Sequence, residues 1–244
     1  MYSKKTMGRE GDALMKIHGL QKVTLLDFPG RVACTAFLGG CDLRCPFCHN
    51  SGLLSASAPA EMDGEALLAF LKKRRGLLDG VAFTGGEPLL RPELPALLEQ
   101  VKALGYAVKL DTNGFHPRAL EAVIRAGLVD YAAMDIKNSL SRYGETCGLA
   151  QVDLEAVKES AALLLAGETD YEFRTTAVAE FHDDRSFAEI GRWIRGARRY
   201  AIQCFTDRET VLRPGLHAPE KEALRRWAEL VRPYVEEVLL RGVD

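Results

Sequence analysis

The chain has 244 residues, of which 47% are hydrophobic and 27% charged, which is the composition of an ordinary globular protein. Its formal net charge of −2 predicts no general attraction to nucleic acid or to an anionic membrane. No apolar run approaches the roughly 20 residues that cross a bilayer, and the N-terminus shows no apolar secretion signal. We therefore expect a cytoplasmic protein with a flexible tail at residues 1–14 and a single domain at 15–244.

Short β-rich runs alternate with longer helical runs along the chain. The strands are predicted at 31–39, 80–88, 106–114, 129–137, 171–178, 200–205 and 235–242. The helices are predicted at 61–78, 93–105, 117–127, 154–167, 186–197 and 219–234. This alternation predicts an α/β fold with a parallel sheet. Because a closed barrel needs eight such units, six units favour an open, partial (β/α)6 barrel, with a doubly wound sheet as the alternative.

Polar and glycine-rich segments follow several of the predicted strands. These segments are GGCDLRCPFCHN, TGGEP, DTNG and MDIK. In both candidate folds, ligands bind at the carboxyl ends of the parallel strands. We therefore expect the four segments to meet on one rim of the sheet.

Three of the six cysteines, Cys41, Cys45 and Cys48, are clustered on the first of these segments. In a reducing compartment, clustered cysteines more often bind metal or carry out redox chemistry than form disulfides. Structural zinc needs four ligands, and His49 is a poor fourth ligand because adjacent residues seldom both reach one ion. Three thiolates on a four-iron cluster would leave one iron open, and the spacing favours this over zinc or uncoordinated thiols. The scattered cysteines are predicted to be small buried hydrophobes: Cys34, Cys147 and Cys204.

The other rim segments carry glycines and charged side chains. Gly85 and Gly86 allow close backbone approach, and Glu87 offers a carboxylate to an amino group, although a tight turn explains the same residues. Asp111 with Thr112, and Asp135 with Lys137, could hold a cation or a ribose, although DTNG is also a turn sequence. Arg174 lies inside a predicted strand, where it either binds a carboxylate or phosphate or is solvated at an edge.

These motifs resemble those of the radical S-adenosylmethionine (SAM) superfamily. CDLRCPFCHN resembles its C-x3-C-x2-C signature, and GGEP resembles its amino-group-binding motif. TLLDFPGR and CHN are similar to the glycyl-radical-enzyme activases, and among these to the anaerobic ribonucleoside-triphosphate reductase activating proteins. LDTNG and MDIK resemble pyruvate formate-lyase activase, and the likeness covers most of 16–242. The resemblance, like the count of six strand–helix units, implies a partial (β/α)6 barrel.

The resemblance implies a role for each matching residue. Cys41, Cys45 and Cys48 would hold a [4Fe-4S] cluster, whose open iron binds the amino and carboxylate groups of SAM. The SAM-binding residues would be Phe47 at the adenine, Gly85, Gly86 and Glu87 at the amino group, and Asp111, Asp135, Lys137, Arg174 and Gln203 elsewhere. A Na+ or K+ site would be formed by Asp111, Thr112, Asp135 and the carbonyl of Ala133.

The implied reaction is reductive cleavage of SAM and abstraction of a hydrogen from one glycine of a partner enzyme. Anaerobic ribonucleotide reductase is the expected partner, and the electron donor is expected to be a flavodoxin or a ferredoxin. Two alternatives stay open: a radical SAM enzyme that acts on a small molecule, and a zinc-binding interaction module. The isolated positions of the other three cysteines and the single last helix favour the activase.

Overall fold

The computed structural model describes residues 15–243, so the predicted tail at 1–14 lies outside the described residues. Over this range, no helix is both long enough and apolar enough to cross a bilayer. The strands are β1 (Lys16–Ile17), β2 (Gly19–Thr24), β3 (Ala33–Leu38), β4 (Met62–Asp63), β5 (Gly80–Gly85), β6 (Ala107–Thr112), β7 (Tyr131–Asp135), β8 (Asp170–Ala177), β9 (Arg199–Cys204) and β10 (Glu237–Arg241). The helices are α1 (Gly64–Lys73), α2 (Leu94–Ala103), α3 (Pro117–Arg125), α4 (Tyr143–Cys147), α5 (Leu154–Leu165), α6 (Asp184–Trp193) and α7 (Lys221–Val231).

The main sheet is an open, mostly parallel sheet of the partial-barrel type. Its strand order is β10-β9-β8-β7-β6-β5-β3-β2, and only β2 runs antiparallel to its neighbour. From β3 onward, each strand lies beside the next parallel strand in the chain, without the reversal of order that defines a doubly wound sheet. The predicted partial (β/α)6 barrel is therefore confirmed, including its terminal strand.

Several elements differ from the sequence prediction. The strands β1, β2 and β4 and the short helix α4 were not predicted. The helix predicted at 61–78 is shorter, because Asp63 caps its start by accepting a hydrogen bond from the backbone N–H of Ala66. Beyond its other end, Gly76 has a φ of 77°, in the left-handed region, which a continuing helix does not allow.

Capping side chains and buried apolar faces hold the helices against the outer face of the sheet. Asp153 and Asp183 cap α5 and α6 in the same way as Asp63 caps α1. The helices α6 and α7 pack through Phe187 and Trp227, whose ring centroids lie 4.6 Å apart. These contacts leave the other face of the sheet to form the interior of the barrel.

The concave face of the sheet carries charged side chains that meet across an intervening strand. Arg174 on β8 contacts Asp111 on β6 over β7, at 3.1 Å. Arg241 on β10 contacts Glu172 on β8 over β9, at 2.7 Å. These contacts between second-neighbour strands place ion pairs on the face of the sheet that forms the barrel interior.

Candidate active site

The three clustered cysteines line one cavity at the carboxyl ends of the strands. Cys41 follows β3, and Cys45 and Cys48 lie on the loop that continues from it. The backbone N–H of Leu43 donates to Cys41 Sγ at 3.4 Å, and Cys48 N–H donates to the carbonyl of Cys45 at 3.1 Å. Burial raises the pKa of the Cys41 thiol to about 12. A metal or cluster is therefore needed to hold this sulfur as a thiolate at neutral pH.

The donor set fits an iron–sulfur cluster better than a single ion. Between residues 15 and 243, no three Cys, His, Asp or Glu side chains converge closely enough to hold one metal ion. A structural zinc ion requires its ligands to converge on one point at about 2.3 Å from sulfur. A cluster of several atoms holds its thiolates farther apart, and the three cysteines share a cavity wide enough to be lined by many other residues.

His49 and Asn50, which follow the third cysteine, hold the loop in place. His49 Nε2 lies 2.7 Å from the carbonyl oxygen of Thr206, and its ring stacks on Phe205 with centroids 5.6 Å apart. The side-chain amide of Asn50 donates to the carbonyl of Gly85 at 3.0 Å. These contacts occupy His49 outside the cysteine group and tie the cysteine loop to the glycine turn after β5.

Cys147 lies beside the loop that carries the three clustered cysteines, although it is far from them in the sequence. It is buried, as predicted, but it ends α4 beside Cys45, and its carbonyl accepts the backbone N–H of Arg44 at 3.0 Å. A hydrogen bond from the Cys147 thiol outweighs burial and lowers the pKa of Cys45 to about 7. Of the other two, Cys34 lies in the core, whereas Cys204 is only partly buried. A fourth thiol therefore adjoins the three that were predicted.

The glycine pair after β5 is required by backbone packing. Gly85 has a φ of 121°, and a β-carbon there would overlap the backbone of Leu38. A β-carbon on Gly86 would overlap the carbonyl oxygen of Gly40. The N–H groups of Gly86 and Glu87 donate to Leu38 and Gly40 at 2.8 and 2.7 Å. The turn thereby fixes the backbone that leads directly into Cys41.

The carboxylate of Glu87 is buried and engaged by the neighbouring loop. Its Oε1 accepts from Thr112 Oγ1 at 2.9 Å and from Leu89 N–H at 3.0 Å, and its Oε2 accepts from Asn113 N–H at 2.7 Å. Burial outweighs these hydrogen bonds and raises the pKa of Glu87 to about 7. Its predicted contact with an amino group stays a prediction, whereas its role in joining β5 to β6 is a feature of the structure.

Asp111, Asp135, Lys137 and Arg174 form one ion-pair network that lines the cavity. Arg174 bridges the two carboxylates, with Nε 2.9 Å from Asp135 and NH1 3.1 Å from Asp111. Lys137 Nζ lies 2.8 Å from the other oxygen of Asp135. Burial alone would raise the pKa of Asp135, but the charges of Arg174 and Lys137 outweigh it and hold this pKa below the usual range. Both carboxylates are therefore ionised and already matched by protein cations.

The remaining predicted residues reach the cavity in different ways. Phe47 and Gln203 line it, and Phe47 also contacts Phe181 with ring centroids 6.0 Å apart. Ala133 pairs with Asp111 on β6 and Glu172 on β8, and it is fully buried within the sheet. The Na+ or K+ site stays a prediction, as do the individual contacts with SAM.

Sequence reasoning missed residues that support the site from behind. Lys109 on β6 is only 2% exposed and pairs with Asp111. Asp42, next to the first cysteine, accepts from Asn113 Nδ2 at 2.7 Å and lies 2.9 Å from His116 Nε2. No local pattern in the sequence links these residues, because only the fold brings Asn113 and His116 to Asp42 on the cysteine loop.

The family model described as the radical SAM superfamily matches residues 35–194. The matched range contains the three clustered cysteines, the glycine turn and the ion-pair network. The chain belongs to the radical SAM superfamily, and it is an enzyme of that superfamily.

Curated relatives point to a particular group within the superfamily. A protein of Methanocaldococcus jannaschii, provisionally named a glycyl-radical enzyme activating enzyme, is 26% identical over 93% of this chain and 96% of its own length. The pyruvate formate-lyase-activating enzyme of Clostridium pasteurianum is 34% identical over 50% of this chain and 52% of its own. The 7-carboxy-7-deazaguanine synthase of Thermococcus kodakarensis is 31% identical over 54% of this chain and 63% of its own.

Solved structures support the fold. Streptococcus suis SuiB bound to S-adenosylmethionine matches with a TM-score of 0.65 at 15% identity, over 83% of this chain and 48% of that chain. A domain of pyruvate-formate lyase-activating enzyme from Bacteroides vulgatus matches with a TM-score of 0.56 at 18% identity, over 67% of this chain and 99% of that domain. At these identities the likeness concerns the fold alone.

Proposed function

We propose that this protein is a radical SAM activase that generates a glycyl radical on a partner enzyme. The observation that carries this proposal is the end-to-end similarity to the M. jannaschii protein, which spans 93% of this chain and 96% of the relative. When bound, a reduced [4Fe-4S] cluster supplies the electron that cleaves SAM to methionine and a 5′-deoxyadenosyl radical, which removes the α-hydrogen of glycine.

The residues of the cavity divide into two tasks in this proposal. Cys41, Cys45 and Cys48 would hold the cluster, and Cys147 would stay outside the ligand set, supporting the cysteine loop through the hydrogen bond from Arg44 N–H to its carbonyl. With only these three thiolates as ligands, one iron would be left open for the cofactor, in the way that catalytic metal sites keep an open position. The cavity between these cysteines and the strand ends is where SAM binds.

The rest of the rim orients the cofactor. Phe47 and Gln203 are far apart in the sequence but line the same cavity, where they would contact the adenosine moiety. Lys137 and Arg174 face the cofactor carboxylate, and both are held in place by Asp135. The backbone of the Gly85–Gly86 turn contacts the amino group. Because Glu87 is engaged by Thr112 and Asn113, it acts by holding this turn against β6.

The partner that we propose is an anaerobic ribonucleotide reductase, with reduction by a flavodoxin- or ferredoxin-type donor. Support comes from the sequence TLLDFPGR before β3 and from CHN after Cys45, which resemble this group of activases. The alternative of a small-molecule substrate is favoured by the similarity to 7-carboxy-7-deazaguanine synthase, although that similarity covers only 54% of this chain.

The test is radical transfer between purified proteins under anaerobic conditions. The reconstituted protein is reduced, mixed with SAM and an anaerobic ribonucleotide reductase, and examined by EPR spectroscopy. We expect a glycyl-radical doublet on the reductase, and none with the Cys45→Ala variant or with a reductase whose radical glycine is replaced by alanine. A doublet only on a different glycyl radical enzyme would refute the named partner. Cleavage of SAM that never yields a protein radical would refute the activase.

A further inference from the structure

Three protein cations surround two carboxylates at the base of the cavity. Arg174 and Lys137 account for both oxygens of Asp135, and Arg174 also reaches Oδ2 of Asp111. Oδ1 of Asp111 is in contact with the ammonium of Lys109. Every carboxylate oxygen of the pair therefore has a cationic side chain as its partner.

Lys109 differs from the other two cations in its position. Its side chain is 2% exposed, and it does not line the cavity, whereas Lys137 and Arg174 do. Lys109 and Asp111 are two residues apart on β6, so both point to the concave face of the sheet. A buried ammonium is retained only where oxygen ligands compensate for the water that it has lost. Lys109 therefore lies on the concave face below the cavity lining, where Asp111 is the oxygen partner of its buried ammonium.

The side chains predicted to bind Na+ or K+ are already engaged by other groups of the protein. Asp111 contacts Lys109, and both oxygens of Asp135 are paired. The hydroxyl of Thr112 donates to Glu87 at 2.9 Å and accepts from Gly114 N–H at 3.1 Å. Lys109, Lys137 and Arg174 already place three positive charges on two carboxylates, and an added alkali ion would bring a fourth. The described residues therefore do not fit a separate alkali ion.

We propose that the ammonium of Lys109 is a tethered substitute for an alkali-metal ion, which makes the site independent of Na+ and K+. An ammonium group carries the same single charge as these ions, and the ammonium of Lys109 is bound by Asp111, one of the residues predicted to ligate them. Because it is covalently attached, it orients Asp111, and through Arg174 also Asp135, at any salt composition. Lys109 is thus a positioning residue for the cavity wall.

The test exchanges the cation in solution and measures thermal unfolding of the holoenzyme. At constant ionic strength, we expect the Tm of the unmodified protein to be the same in potassium, sodium and tetramethylammonium chloride. A potassium-dependent rise of about 3 °C or more would correspond to specific ion binding and would overturn the proposal. The Tm measurement requires no catalytic turnover, so its outcome tests the cation proposal independently of the proposed activase function.

Truncation of the lysine provides the converse measurement. Lys109→Ala leaves Asp111 without its ammonium and opens space beside it, so we expect the Tm to fall by roughly 6–20 °C. Potassium or ammonium chloride should restore part of this loss, and tetramethylammonium, which is too large, should not. The double variant Lys109→Met, Asp111→Asn removes both charges and should fold without any response to potassium.

The matched control is Lys102→Ala on α2. Lys102 pairs with Asp130 at 2.6 Å but is 30% exposed, so its loss opens no enclosed cation site. We expect a small fall in Tm that potassium does not reverse. If Lys109→Ala also shows no potassium response, or if the control responds equally, the tethered-cation proposal is wrong. Binding of SAM is part of the proposed function. In Lys109→Ala, the affinity for SAM, measured by equilibrium binding, should be higher in potassium or ammonium chloride than in tetramethylammonium chloride.

Discussion

The glycine turn after β5 allows a quantitative test through the variant Gly86→Ala. The added methyl group would overlap the carbonyl oxygen of Gly40 by roughly 1 Å or more relative to an ordinary contact. The two hydrogen bonds that join the turn to the backbone before Cys41, at 2.8 and 2.7 Å, would lengthen when the segments separate. Overpacking costs about 1–3 kcal/mol, and the two hydrogen bonds, which are weakened rather than lost, together cost about 1 kcal/mol more. We expect a total of about 3 kcal/mol.

Thermal unfolding and iron content together report this perturbation. For a chain of this size, about 3 kcal/mol lowers the Tm by roughly 6–12 °C. Because the displaced backbone leads into Cys41, the iron bound after anaerobic reconstitution should also decrease. The control is Gly52→Ala, since Gly52 is exposed and a β-carbon there meets no atom within 4 Å. If Gly86→Ala retains the Tm and iron content of Gly52→Ala, the steric reasoning is wrong.

Three further predictions concern thiols, the ion-pair network and pH. Cys147→Ser should keep full iron content after reconstitution, whereas Cys45→Ala should lose it; iron loss in the first variant would make Cys147 a ligand and contradict the open-iron account. Arg174→Lys cannot bridge two carboxylates, so urea unfolding should show a loss of about 1–3 kcal/mol, and an unchanged stability would refute the bridging role. Burial lowers the pKa of His182 and outweighs the hydrogen bonds with the backbone of Lys137 and Val178, which raise it. The folded protein therefore excludes a proton that the unfolded chain binds below about pH 6.5. The stability that depends on neutral His182 is therefore present above that pH and lost as the pH falls, by up to about 1.4 kcal/mol per unit, and His182→Gln should remove this slope in unfolding measured at pH 7.5 and 5.5.

The parts of the fold that local signals describe were predicted from the sequence. Strand and helix alternate with capping, proline and glycine residues at their ends, so the six units and the rim segments were visible without the structure. The strand β2 was not, because half of its residues are exposed and its sequence GLQKVT lacks a pattern of alternating burial. The helix α4 has only five residues, which is too short for helical periodicity to be recognised.

The residues of the candidate site also divide into those that a local sequence signal predicts and those that it does not. The spacing of Cys41, Cys45 and Cys48 is a local signal, and so is the glycine pair. Cys147 lies about a hundred residues from Cys45 along the chain, so only the packing of α4 on the cysteine loop reveals their contact. Lys109 lies within an otherwise apolar run of the sequence. Its pairing with Asp111 depends on how the strand is oriented in the sheet, which the neighbouring residues do not reveal.

The central claim is that SAM cleavage by this protein removes hydrogen from a glycine of a partner enzyme. The direct measurement uses an anaerobic ribonucleotide reductase labelled with α-deuterated glycine. It is mixed with the reduced protein and SAM, and the 5′-deoxyadenosine formed is analysed by mass spectrometry. The account predicts 5′-deoxyadenosine that carries one deuterium, in an amount that matches the glycyl radical. Unlabelled 5′-deoxyadenosine, formed at the same rate with or without the labelled reductase, would contradict it.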